Sequence, residues 1–350
     1  MPERKIEFGE PLKVVKGMAT YFNDVKRIPL GVSEADFLMV NTPPICNYRC
    51  KKCFTAAEDR RTKNPLSLDE WRRVISEGKD LGVKNVSILG EGEPLIHKHI
   101  RDIVAHTHAN GMIPMVATNA REFSPDMADF LYDNDCTVGV SLDTLDRDEY
   151  NDFCGGNADF GEVMKNIAYA RKRFAEAIKT ENGFRVYRLL LHTTVTPQSY
   201  HWFRQLRDFC GDDIYFDAQP LANVGIAEKH GDDFGEEESY EHFQKTSHVS
   251  HPPMVLAKTP EGRDTCCLFN YGLAVNHSGD VMFDTHAIEP EGFIGNVKDV
   301  PLAELLERTK RLRRYFLANF PTAGYCPVRD EVYKEFVASL RDKIIQLIWA

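Results

Sequence analysis

Between residues 37 and 216, six short apolar runs alternate with amphipathic stretches long enough for helices. The runs 37–40, 85–89, 113–117, 137–141, 187–194 and 214–216 suit buried strands. The stretches 67–82, 99–110, 124–134, 160–177 and 200–209 carry helical periodicity, and the first opens on Ser67 and closes on Gly82. Such alternation favours a parallel sheet, because each strand is re-entered in the same direction through a right-handed crossover. The expected fold class is therefore α/β, with a parallel sheet either open or curled toward a barrel. Ligands in such sheets collect at the C-terminal ends of the strands.

The first strand delivers the chain into Cys46-Asn47-Tyr48-Arg49-Cys50-Lys51-Lys52-Cys53. Four thiolates would close an iron-sulfur cube, whereas three leave one iron open to a small molecule. Zinc is the competing reading of short cysteine spacings, although no close Cys or His pair completes a tetrahedral set. On these residues alone both readings stand.

Composition narrows the class. The chain is 43% hydrophobic and 11% aromatic, enough for an enzyme-sized core rather than a disordered chain. Its formal charge of −10 argues against a nucleic-acid partner, which rewards basic stripes. No transmembrane run or signal peptide is evident, so the nine cysteines are not expected to form a secreted disulfide framework. A cytoplasmic location without membrane association is the expectation.

Each further strand end carries a short motif. Gly90-Glu91-Gly92-Glu93-Pro94 follows the second strand, Ala117-Thr118-Asn119-Ala120 the third and Val140-Ser141-Leu142-Asp143 the fourth. Taken in order with the cysteine loop, these elements resemble the radical SAM superfamily over residues 36–222, which implies that the sheet there is a partial (β/α)6 TIM-like barrel. The resemblance implies a 4Fe-4S cluster on Cys46, Cys50 and Cys53, with S-adenosylmethionine on the open iron and an electron donor such as flavodoxin or ferredoxin. It further implies cofactor contacts from Phe54, Glu91, Gly92, Glu93, Thr118, Asn119, Ser141 and Asp143. Two positions depart from the family pattern. Lys52 stands where an aromatic residue often precedes the third cysteine, with Phe54 after it instead, and Ala120 replaces a glycine.

Residues 1–35 read as a lead-in, 223–255 as an acidic connecting segment, and 256–330 as a small hairpin-plus-helix unit before a last amphipathic helix over 331–350. Val332, Phe336, Val337, Leu340, Ile344 and Ile348 form one stripe on that helix, which is expected to dock on the body. The unit resembles the SPASM/Twitch auxiliary-cluster module, including its Gly-Asn-Val segment at 295–297. That resemblance implies a second iron-sulfur cluster using Cys266 or Cys267, Cys326, and Asp284 at a place where the family carries cysteine. Adjacent side chains in extended backbone face opposite ways, so one of Cys266 and Cys267 is left over as a free thiol. Cys136, Cys154 and Cys210 read as structural, with Cys210 a spare ligand.

Sugar- and aminocyclitol-tailoring members of the superfamily combine these two parts. The function expected from the resemblance is a radical SAM epimerase: a 5'-deoxyadenosyl radical abstracts a carbinol hydrogen from a sugar, aminosugar or cyclitol, and Cys267 or Cys266 returns one. Dehydrogenation to a ketone through the auxiliary cluster and peptide modification are alternatives within the superfamily. A non-catalytic iron-sulfur or zinc scaffold is the alternative from a different class.

Overall fold

The computed structural model describes residues 12–18, 36–55, 62–155, 158–181, 183–221, 225–229, 256–258, 264–266, 272–320 and 331–348, with a few positions between 235 and 245. Its centre is a nine-stranded sheet. In chain order the strands of the protein are β1 (Leu12–Val15), β2 (Phe37–Thr42), β3 (Asn85–Gly90), β4 (Ile113–Thr118), β5 (Thr137–Ser141), β6 (Lys179–Glu181), β7 (Phe184–Tyr187), β8 (Leu189–Val195), β9 (Tyr215–Pro220), β10 (Leu256–Lys258), β11 (Asp264–Cys266), β12 (Gly272–Val275), β13 (Asp280–Met282) and β14 (Phe293–Asn296). The central sheet runs β14-β13-β12-β2-β3-β4-β5-β8-β9, and its pairs from β2 to β9 are all parallel. These six strands are the predicted alternation, joined as a partial TIM-like barrel wall.

The helices that cross between them are α1 (Leu68–Asp80), α2 (Ile100–Ala109), α3 (Pro125–Asp133), α4 (Arg147–Phe153), α5 (Phe160–Ala175), the single turn α6 (Pro197–Tyr200) and α7 (Phe203–Cys210). Local chemistry sets their starts. Ser67 and Glu70 form a reciprocal capping box, and Ser124, Asp146 and Asp159 each accept a backbone N–H of the first turn. Alternate residues of the strands face these helices: Leu38, Val40, Val86, Ile88, Val116, Val138, Val140, Leu189 and Leu191 share one core with Val74, Ile75, Ile103, Val104, Leu131 and Ile167. Each such side chain contributes about 1.5–3 kcal/mol by leaving water.

Three expectations change. The run 187–194 divides at Arg188, whose buried guanidinium donates to the carbonyls of Leu131, Tyr132 and Cys136. That turn sends β7 into a separate three-stranded sheet with β1 and β6, so the lead-in contributes a parallel strand at Leu12–Val15. Second, the C-terminal hairpin β12–β13 does not stand apart from the barrel, because β12 pairs in parallel with β2 and extends the same sheet. Third, the last helix is two, α9 (Glu331–Ala338) and α10 (Leu340–Ile348), after α8 (Leu302–Asn319), if the turn Ile226–Lys229 is left unnumbered. Phe283, Phe316, Tyr333, Phe336 and Leu340 pack together there, which is the docking its apolar stripe predicted. No helix among the described residues is long and apolar enough to cross a membrane.

Candidate active site

The cysteine loop leaves β2 and is pinned on three sides. Glycine at position 92 allows the first contact: a Cβ there would lie 2.1 Å from the Ile45 carbonyl oxygen, and the Glu93 N–H donates to that oxygen at 2.9 Å. On the second side, Asn119 Nδ2 donates to Asn47 Oδ1 at 2.7 Å. On the third, the end of α4 closes over the loop, with Arg49 N donating to Cys154 O and Lys51 N to Phe153 O.

Cys46 is exposed, and Cys50 and Cys53 are partly buried. Although the surface of Cys46 is exposed, desolvation by the protein packed around it pushes its thiol up to about 12, and the neighbouring thiols of Cys50 and Cys53 push the same way. The Cys50 thiol is raised first by its hydrogen bond with Cys154 and then by burial. Cys53 Sγ lies 3.2 Å from Thr55 Oγ1, which donates to the Glu91 carbonyl at 2.6 Å. Thiols raised in this way are stable as thiolates only beside positive charge, which an iron cluster supplies. Among the described residues no three His, Cys, Asp or Glu side chains close around a single metal ion.

Glu93 is the hub of the second and third strand ends. Its carboxylate accepts from Thr118 Oγ1 at 2.7 Å, Asn119 N at 2.8 Å and Leu95 N at 3.0 Å, using three of about four acceptor positions. Burial nevertheless pushes its carboxyl up to about 7, outweighing those donors. Glu91, also buried, turns the other way and meets His277 on the β12–β13 turn. Ala120 holds φ of +64°, which accounts for glycine at this place in the family pattern.

The fourth strand end carries the departure at Lys52. Its ammonium pairs with Asp143 and donates to Thr194 Oγ1 at 3.1 Å, while Asp143 Oδ1 accepts from Thr194 N and Thr193 Oγ1. Where an aromatic was expected, an ion pair thus ties the cysteine loop to the ends of β5 and β8. Phe54 packs its ring edge-on against His286 of the C-terminal hairpin, with centroids 6.0 Å apart. Ser141 ends β5 on the face opposite the helix-packed core. Asp284 is buried beside His286; one oxygen accepts from His286 N at 2.5 Å and the other has no partner among the described residues. Cys267 and Cys326 lie outside the described residues, and of Cys266 only its place at the end of β11 is described.

Sequence reasoning did not single out Cys154, His277 or Lys52 as site partners. The departure at Lys52 was itself a signal, since a cation beside a cluster loop calls for an anion. Cys154 and His277 had none, being distant in sequence from what they touch.

Residues 40–202 match the family model described as the radical SAM superfamily. The match runs from β2 to the start of α7. A GTP 3',8-cyclase of Pectobacterium atrosepticum is 32% identical over 136 residues, covering 37% of this chain and 41% of that protein. One from Cronobacter sakazakii is 31% identical over 148 residues, covering 41% and 44%. The chain therefore spans less than half the length of these curated relatives. Among solved structures, Streptococcus suis SuiB bound to precursor peptide SuiA superposes with a TM-score of 0.58 at 18% identity, over 79% of this chain and 65% of that one. Native anSMEcpe with bound AdoMet gives 0.55 at 15% identity, over 89% and 98%. At these identities the structures show a shared fold. The radical SAM family implies a 4Fe-4S cluster and S-adenosylmethionine.

Proposed function

We propose that this chain is a radical SAM enzyme acting by hydrogen-atom abstraction on a small polyhydroxylated substrate. The carrying observation is that hydrogen bonds and an ion pair bind the cysteine loop to all three other motif-bearing strand ends: Ile45 to Glu93, Asn47 to Asn119, and Lys52 to Asp143. Cys46, Cys50 and Cys53 hold the cluster in this reading, and the strand ends seat S-adenosylmethionine. The bound cluster and cofactor supply a 5'-deoxyadenosyl radical when an external donor delivers an electron. The chain's own residues fix that pair at the mouth of the barrel.

For the outcome we favour epimerisation of a carbinol carbon, with Cys267 or Cys266 returning a hydrogen atom. The support is the free thiol that two adjacent cysteines leave over in extended backbone. A second cluster on the hairpin unit draws support from Asp284, a buried carboxylate with one oxygen unpartnered among the described residues. That cluster would also serve oxidation to a ketone.

The test is anaerobic turnover of reconstituted protein with dithionite and S-adenosylmethionine. Release of 5'-deoxyadenosine, lost in Cys46→Ala, is expected. A chain that binds iron and never cleaves S-adenosylmethionine is a scaffold. Run in deuterated water with aminosugar and cyclitol candidates, deuterium at an inverted carbon supports the thiol donor, and a ketone free of solvent deuterium replaces epimerisation by oxidation.

A further inference from the structure

On the inner wall of the barrel, the strand registers align Ser141 of β5, His192 of β8 and Asp217 of β9 in one rung. Their neighbours in sequence, Val140, Leu191 and Phe216, belong to the helix-packed core, so this rung faces away from the helices. One rung below, Leu190 and Tyr215 form an apolar floor with Val15, Tyr187 and Met115. One rung above, Thr194 meets Lys52, the residue before Cys53. Two residues along a strand is roughly 7 Å, so the rung lies one small molecule's depth below the cysteine loop.

His192 Nδ1 lies 2.7 Å from Asp217 Oδ2, and Gln219 Nε2 donates to the same oxygen at 3.2 Å. The Asp217 side chain is 3% exposed and that of His192 is 33% exposed. A buried carboxylate at Nδ1 selects the tautomer that carries its proton there, leaving the Nε2 lone pair outward. Nε2 has no partner among the described residues. An imidazole held in this way on a partly open wall presents an acceptor to a ligand that brings a donor.

We propose that His192, oriented by Asp217, is the substrate-recognition residue of this chain. Its Nε2 accepts a hydrogen bond from a hydroxyl of a polyol, a sugar or cyclitol, lying between the inner wall and the cysteine loop. A sulfate or an ionised carboxylate has no proton to offer Nε2, whereas a carbinol has one on every hydroxyl. The placement of the substrate rests on the radical SAM reading, while the dyad and its tautomer do not.

The experiment uses the full chain with reconstituted cluster and S-adenosylmethionine, labelled with 15N-histidine. His192 is assigned by the resonance missing in His192→Gln. The expected result is an Nδ1-protonated ring in the unmodified protein whose Nε2 signal moves on adding glucosamine or myo-inositol and is unmoved by inorganic sulfate. Affinity for those polyols is expected to fall about tenfold in His192→Gln and in Asp217→Asn, the loss of one oriented hydrogen bond. An Nε2-protonated ring, a signal that neither polyol moves, or one moved by sulfate alone overturns the proposal. Release of 5'-deoxyadenosine by the same unmodified sample reports separately on the radical SAM reading: its absence sinks that reading, whatever the histidine spectrum shows.

Discussion

His277, on the turn between β12 and β13, meets Glu91 across the sheet with Nδ1 2.8 Å from Oε1, and both residues are buried. The contact couples the C-terminal hairpin to the loop that follows β3. Glu91 also offers its carbonyl to Thr55, which sits 3.2 Å from Cys53 Sγ, so the hairpin reaches the cysteine loop through two residues. Replacing His277 by Ala leaves a buried carboxylate without this partner. We expect a loss of about 2–4 kcal/mol in stability and weaker retention of iron. Chemical denaturation and iron content per chain check both, and unchanged values in His277→Ala would mean that the hairpin and cysteine loop are independent.

Gly92 offers a sharper steric test. An added Cβ would lie 2.1 Å from Ile45 O and 2.4 Å from Ile45 C, with no flexible side-chain end to give way. Gly92→Ala must therefore push the cysteine loop off the strand end, at a cost of about 1–3 kcal/mol or more, with a fall in bound iron. Gly161→Ala is the control, since the nearest atom there is Asp159 Oδ1 at 3.6 Å and the position is helical. It should be neutral or slightly stabilising. Equal behaviour of the two variants in denaturation would remove the claim of close approach.

Much of the barrel was legible because alternating and helical periods report which face of a segment leaves water. The capping residue Ser67 marked a helix start for the same local reason. Pairings between distant positions were not legible. The His277–Glu91 contact spans 186 positions, and nothing near His277 distinguishes a turn histidine from one inserted into another loop. The division at Arg188 was hidden because the groups it meets, three backbone carbonyls and the Asp135 carboxylate, are distant from it in sequence. The motif residues were found by order along the chain, but their partners came from geometry alone: Glu93 is held by two backbone N–H groups as well as by Thr118.

Glu93 also gives the protein without cofactor a pH dependence. Burial raises its carboxyl from 4.5 to about 7, so the fold favours the protonated form. The associated stability is fully present below the ordinary value of 4.5 and is lost as pH rises through about 7. The full effect is on the order of 3 kcal/mol. Denaturation midpoints of the unmodified chain should therefore decline across this window, while Glu93→Gln, although weakened by facing the Asn119 N–H with an amide, should lack that part of the slope. Identical slopes in the two proteins would assign the titration to another group.

Ala120 is fully buried and sits at φ +64°, with its N–H donating to Thr118 Oγ1 at 3.0 Å and its carbonyl accepting from Asn166 Nδ2 at 3.1 Å. Both bonds hold it in the left-handed region, at a cost of about 1–2 kcal/mol for an L-residue. Ala120→Gly relieves that strain but gives up a buried methyl, worth about 0.8 kcal/mol, and frees the unfolded chain by about 0.4–1 kcal/mol. The terms nearly cancel, so stability should change by less than about 1 kcal/mol. Ala120→Val has no such offset: a branched side chain is strained in this backbone and overfills a closed site, and a loss above about 3 kcal/mol is expected. Urea midpoints of the two variants decide the matter. A large loss in Ala120→Gly would show that the methyl, rather than the backbone conformation, governs this position, and a mild effect of valine would show that the strand end relaxes away from the left-handed geometry.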